Sequence, residues 1–171
     1  MRRKRNLVTN EITKYKARIN VYGGMQTLGI NYFDTYALVV TWFAIRLLIV
    51  IAMVLSWQLR QVDFIMAYPQ APIECDMYLK IPDGCETDEG FNKTHVLKLL
   101  KNVYGQKQAG RVWNDYLTGK LLGLGFKRSL IDECVFYRGS LVFLLYVDDG
   151  SLYHLTGRTS TRLFGNFNAR T

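Results

Sequence analysis

The chain has 171 residues, 49% of them hydrophobic and 13% aromatic, with 3 prolines; it can bury one substantial core, which excludes a disordered tail and leaves room for one domain or part of one. Its 22 Lys and Arg against 14 Asp and Glu give a formal charge of +8, an excess that favours nucleic acid or an acidic membrane surface as partner. The 3 cysteines, Cys75, Cys85 and Cys134, are widely spaced, and no apolar leader follows Met-Arg-Arg-Lys-Arg. That argues against a disulfide scaffold and against secretion, and for an intracellular protein. Cys75, Cys85 and His95 also lack the close ligand pairs of a structural zinc site.

In chain order, the first element is a basic arm, with Arg2, Arg3, Lys4, Arg5, Lys14, Lys16 and Arg18 against Glu11. Tyr36 to Trp57 is then almost continuously apolar, broken by Thr41, Arg46 and Ser56. A centred arginine costs about 2.5 to 3.5 kcal/mol on insertion scales, and Leu47 to Leu55 is too short to span alone. The segment is therefore expected to be a helix buried on most sides, with a membrane anchor as the outside alternative. Next, Val62, Phe64 and Met66 alternate with Gln61, Asp63 and Ile65, which predicts a short strand with Asp63 on the face opposite Val62 and Phe64. Asp76 to Ile81 is a second candidate strand, and the run Ile81 to Gly90 reads as an exposed acidic loop. Residues 111–124 return to helical spacing, with Trp113, Leu117, Leu121 and Leu124 on one face and Gly125 as a C-terminal cap. Leu141 to Tyr146 and Ser151 to Leu155 form a predicted hairpin closing on Asp148 and Asp149. Arm, helix, strand, strand, helix and hairpin make an α+β chain without internal repeats.

Two adjacent carboxylates at the end of an apolar strand repel each other, and either a hydrated turn or a divalent cation relieves them. Asp149-Gly150 is itself a hairpin-turn signal, so spacing alone favours the turn. Asp63, a lone acid in a strand of apolar and neutral residues, is expected to be a buried carboxylate in need of a partner. Three aspartates on neighbouring strands could hold two magnesium ions and clamp the oxygens of a phosphoryl displacement.

The blocks Lys14 to Arg18 (KYKAR), Tyr32 to Leu48, Gln61 to Gly84 (QVDFIMAYPQAPIECDMYLKIPDG), Leu97 to Trp113 (LKLLKNVYGQKQAGRVW) and Leu144 to Gly150 (LLYVDDG) together resemble the reverse transcriptase domain of copia-type LTR retrotransposons, from about Arg5 to Tyr153. The resemblance implies a right-hand polymerase: a palm, an antiparallel sheet with packed helices, and partial fingers, with the thumb missing. It implies a partial domain over 1–153 and a divergent, frameshift-like tail over 154–171. Asp63, Asp148 and Asp149 match the catalytic metal-binding aspartates, with the Phe64 carbonyl as a further ligand of two Mg2+ ions, for which Mn2+ can substitute. Tyr68 resembles the aromatic gate against a ribose 2′-hydroxyl, its bland alternative being core packing. Lys16 and Arg18 resemble triphosphate-gripping bases, and Tyr104, Gly105 and Lys107 fall in the nucleotide-pocket block. Arg111 and Tyr146 are expected at the nucleic acid, and Trp113 in the core.

Implied partners are an RNA template, a DNA primer, deoxynucleoside triphosphates and the remainder of a retrotransposon polyprotein, in cytoplasmic particles of an intact element, with no membrane. Gly110 stands where the family has proline, and the tail carries three arginines and no acid. Without a thumb to retain primer duplex, the isolated chain is expected to be inactive, so a basic, non-catalytic nucleic-acid binder is the alternative. Its uncovered apolar face predicts poor solubility.

Overall fold

The structure, a computed structural model, describes residues 2–16, 19–82, 95–154 and 169–170. The acidic loop after Pro82, Cys85, Arg18 and nearly all of the tail lie outside the described residues.

The centre of the fold is an antiparallel sheet of five strands: β3 (Gln58–Phe64), β9 (Asp149–His154), β8 (Leu141–Tyr146), β7 (Val135–Arg138) and β6 (Lys127–Arg128), in that spatial order. The two-residue β10 (Ala169–Arg170) pairs with the outer edge of β3, opposite Phe64 and Asp63. Two smaller pairs complete the strands: β1 (Arg2–Arg5) with β2 (Ile12–Lys16), and β4 (Tyr78–Leu79) with β5 (Leu97–Lys98). The basic arm is thus a hairpin, and the strand expected over Asp76 to Ile81 shortens to two residues. An α+β chain with a mostly antiparallel sheet and few helices is what the sequence led us to expect.

Helix α3 (Ala109–Gly123) covers one face of the sheet. Val112, Trp113, Leu117 and Leu121 recur at helical spacing and are buried against Val62, Phe64, Phe136, Phe143, Leu145 and Leu152, contacts that supply the bulk of the hydrophobic stabilisation. Gly125 ends the helix with φ +83°, while the Gly125 and Phe126 amides donate to the Leu122 and Leu121 carbonyls, as a left-handed cap allows. The short α2 (Ala67–Gln70) follows β3 directly, after a turn at Met66 with φ +54°.

Helix α1 (Trp42–Val54) departs from expectation. Thr41 caps it, its hydroxyl accepting from the Ala44 amide at 3.2 Å, while its own amide and hydroxyl donate to the buried Asp132 carboxylate at 2.9 Å. Yet among its residues only Ala52 is fully buried, and Trp42 and Met53 are 69% and 76% exposed. A helix apolar on all sides carries no periodicity to say which side meets the core, so composition overstated its burial. No described helix is long and apolar enough to cross a membrane. Replacing Val50 and Met53, both exposed, by glutamate should raise the soluble, monodisperse fraction of the chain severalfold and move Tm by no more than about 2 °C. Light scattering and thermal melting check this.

Cys134, next to β7 and with its carbonyl accepting from the Leu145 amide of β8 at 2.8 Å, is buried, and its thiol is pushed up to about 11, first by burial and then by Asp132. At pH 8 it should react with a thiol reagent at least about a hundredfold more slowly in the folded than in the unfolded chain. The folded state holds this proton more tightly than the unfolded state, so its contribution to stability is complete below pH 9 and is lost as pH rises from 9 towards 11. Mass-resolved labelling of each cysteine and melting across that range check both statements.

Candidate active site

The aspartates meet where β3 and the β8–β9 hairpin end together. β3 and β9 pair in antiparallel register with Asp63 opposite Asp149 and Val62 opposite Gly150. Directly opposed residues project on the same face, so two carboxylates distant in sequence become neighbours. Tyr146 pairs with Asp149 across the hairpin, leaving Val147 and Asp148 as its two-residue loop. The Phe64 amide approaches the Asp148 carbonyl at 3.4 Å, joining β3 to that loop.

This arrangement corrects two expectations. The turn is Val147-Asp148, two residues rather than the four left between the expected strands, and the Asp149-Gly150 turn signal does not form it. Gly150 lies within β9, where an added Cβ would meet Phe143 Cε2 at 2.6 Å and the Leu144 carbonyl at 3.3 Å, so its glycine answers to packing rather than to turn chemistry. Val147 instead has φ +54°, a conformation that favoured hairpin turns give to glycine and that strains a β-branched side chain. Asp63 is also exposed, whereas Val62 and Phe64 on either side are buried. The predicted alternation is present, but Asp63 is not a buried carboxylate seeking a partner.

The electrostatics follow from the register. The Asp149 carboxyl is held above its ordinary range, first by partial burial and then by the Asp148 and Asp63 carboxylates. Asp148 and Asp63 thus both act on Asp149. Among the described residues, no three acidic, histidine or cysteine side chains converge as a ready metal cage. The donors are nevertheless all carboxylate oxygens, the type that hard divalent cations take, so the chemistry of the set fits such an ion.

Tyr68, on α2, stands beside this cluster. Its phenol is pushed up first by burial and then by Asp148 and Tyr104, and its ring lies 4.7 Å from that of Tyr104. A Cβ on Gly110 would sit 3.9 Å from the Tyr68 hydroxyl. The Tyr104 carbonyl accepts from the Val21 amide at 2.9 Å. Gly105 has φ +91°, and a Cβ there would fall on the Val21 carbonyl, so only glycine lets the two segments lie together. Lys107 donates to the Gln26 carbonyl at 3.3 Å and the Tyr32 hydroxyl at 3.2 Å, with its ammonium 4.8 Å from the Tyr32 ring centre.

The remaining expected site residues are scattered. Arg111, read from the sequence as a nucleic-acid contact, directs its guanidinium to Glu74, Asp115 and the Asp34 carbonyl, so it joins three segments of this chain. Tyr146 is exposed at the end of β8. Lys16 ends β2, and its side chain lies outside the described residues, as does the whole of Arg18.

Sequence reasoning missed a polar seam beneath the pocket block. Gln26 Nε2 donates to Gln108 Oε1 at 2.9 Å, the Lys107 amide donates to Gln26 Oε1 at 2.7 Å, and Gln108 Nε2 donates to the Asn31 carbonyl at 3.4 Å. Buried Asn102 donates to the Ala71 and Pro72 carbonyls. Amides on both sides of Lys107 in VYGQKQAG were the available signal, because buried polar groups must be paired. Trp113 was expected only in the core; it is buried, and its indole N–H also donates to the Val147 carbonyl at 2.9 Å.

With that geometry in view, comparison with known proteins is decisive. The family model described as reverse transcriptase (RNA-dependent DNA polymerase) matches residues 2–164. This chain belongs to the reverse transcriptase family. It is 37% identical over 142 residues to the retrovirus-related Pol polyprotein from transposon RE1 of Arabidopsis thaliana, and 33% identical over 142 residues to that from transposon RE2 of the same plant. It is 31% identical over 144 residues to the one from transposon TNT 1-94 of Nicotiana tabacum. Each alignment covers 81% of this chain but only 10% or 11% of the polyprotein, so the chain spans about a tenth of the length of these relatives. No solved structure matches it. The resemblance to copia-type elements is thus borne out.

Proposed function

We propose that this chain carries the nucleotidyl-transfer centre of an RNA-directed DNA polymerase, adding deoxynucleotides to the 3′ end of a DNA primer on an RNA template. The observation that carries the reading is the direct opposition of Asp63 and Asp149 across β3 and β9, with Asp148 in the adjoining loop, in a chain of the reverse transcriptase family. Asp63, Asp148, Asp149 and the Phe64 carbonyl would hold two magnesium ions, or manganese in their place. Such ions, when bound, neutralise the attacking and leaving oxygens of an in-line displacement. Asp149 supports this reading, because partial burial and the neighbouring Asp148 and Asp63 carboxylates raise its proton affinity, a setting that a bound divalent cation would relieve.

In this reading the Tyr68 ring, beside Asp148, limits the space at the sugar and excludes a 2′-hydroxyl. Tyr104 packs on Tyr68 and fixes that ring, Gly105 brings the fingers segment against the pocket block, and Lys107 with Lys16 and Arg18 supplies cations for the triphosphate. Tyr146 meets the nucleic acid from the end of β8. Arg111 acts on the template side through the segments it ties together. The working unit is 1–153, with the rest of the polyprotein as its partner.

The test is single-turnover extension, with the chain in excess over a DNA primer annealed to RNA. Steady-state turnover by the isolated chain is expected to be negligible, but the excess of chain drives every primer onto protein, so one template-directed addition of the complementary nucleotide, abolished by chelation of divalent metal, is the expected result. No addition, together with binding that weakens steeply with salt, would instead establish a non-catalytic nucleic-acid binder, the reading favoured by the +8 charge.

A further inference from the structure

Trp113 links the two chain segments that carry the aspartates. It is fully buried on α3, and its ring meets that of Phe64 edge-on at 5.2 Å, immediately after Asp63. Its indole N–H donates at 2.9 Å to the carbonyl of Val147, immediately before Asp148. Val147 is also the strained residue of the loop, a β-branched side chain at φ +54°, and such a conformation persists only where its surroundings hold it. We propose that Trp113 is a positioning residue: its indole N–H holds the Val147-Asp148 loop in the strained form and thereby sets where Asp148 stands relative to Asp63. The functional consequence rests on the reading of Asp148 as a metal ligand; the structural one does not.

The geometry separates this role from packing. Phe64 and Phe143 also meet edge-on, at 6.4 Å, so the apolar floor of the site has aromatic contacts besides those of the indole. The indole nitrogen is the one atom through which Trp113 directs the loop carbonyl. A hydrogen bond to a buried-side carbonyl opposes rotation of the Val147-Asp148 peptide, whereas a phenyl ring at the same place would fill space without opposing it.

The experiment uses the whole 171-residue chain with Trp113 replaced by its benzothienyl analogue, which keeps the shape and exchanges the N–H for sulfur, and in parallel with Trp113→Phe. The readouts are Tm, the backbone amide resonances and exchange rates of Val147, Asp148 and Asp149, and Mn2+ affinity by paramagnetic resonance. The expected result is a Tm within a few degrees of the parent for the sulfur variant, with shifted and faster-exchanging loop amides and Mn2+ affinity weakened about tenfold. Val147→Gly, which takes positive φ without strain, should return most of that affinity in the sulfur variant. Unshifted loop amides would overturn the proposal, as would unchanged Mn2+ affinity in the sulfur variant when Asp148→Asn lowers it. If Asp148→Asn leaves Mn2+ affinity unaltered, the metal reading fails instead, and shifted loop amides still support the role of Trp113.

Discussion

Asp148→Asn should lower single-turnover primer extension at least about a hundredfold while leaving the melting temperature unchanged or slightly higher. Asparagine keeps the volume of the side chain and leaves the contact between the Phe64 amide and the residue 148 carbonyl in place, so the hairpin loses nothing that holds it. It removes one negative charge from a cluster in which Asp148 and Asp63 both raise the proton affinity of Asp149. Asp149 should therefore titrate closer to its ordinary carboxylate range in the variant. Lost activity with a retained fold is the signature of a residue that holds charge rather than structure. Primer extension equal to that of the parent chain would remove Asp148 from the site, and a collapsed melting transition would show that its role is structural.

Gly150→Ala should cost about 1 to 3 kcal/mol and lower Tm by roughly 2 to 12 °C. Gly150 sits in the middle of the sheet, paired with Val62 on one side and Leu145 on the other. A methyl group there runs into the Phe143 ring. That ring is fully buried and braced edge-on by Phe64, so it cannot retreat without moving the residue next to Asp63. The damage should reach the site as well, and Mn2+ affinity should fall with Tm. Phe143→Leu, which shortens the obstructing side chain, should recover part of both in the double variant. Additive losses in that cycle would show that the two positions do not share the space assigned to them.

The parts of the fold legible in the sequence are those in which one local period repeats. Helix α3 showed itself through Trp113, Leu117 and Leu121, with Gly125 as its stop, and β8 through its unbroken apolar run. β7 was missed because Val135 to Arg138 is too short for a period to stand out, and β6 because two residues carry no pattern at all. The hairpin was foreseen, but its loop was left as the four residues Val147 to Gly150, whereas it closes on Val147 and Asp148 alone. Asp149-Gly150 is the stronger local turn signal, and register with β3 together with the Phe143 ring overrides it. The same limit governed the site: Asp63, Asp148 and Asp149 were identifiable by type and order, whereas the link from Trp113 to Val147 and the amide seam of Gln26 and Gln108 join residues far apart in sequence.

The sequence by itself determined the chemistry on offer: three aspartates, an aromatic after the first of them, a basic pocket block and an apolar framework able to present them, all in the order of the reverse transcriptase family. Tertiary structure alone decided which groups meet. Antiparallel register sets Asp63 against Asp149, a buried indole reaches the strained loop ahead of Asp148, and Arg111 is turned inward onto Glu74 and Asp115. It also decided that α1 keeps most of its apolar surface outside. The reason is common to all of these: local periodicity specifies which side of an element is apolar, but pairing partners, register and the layer that covers a face are set by long-range packing, which composition and spacing do not encode.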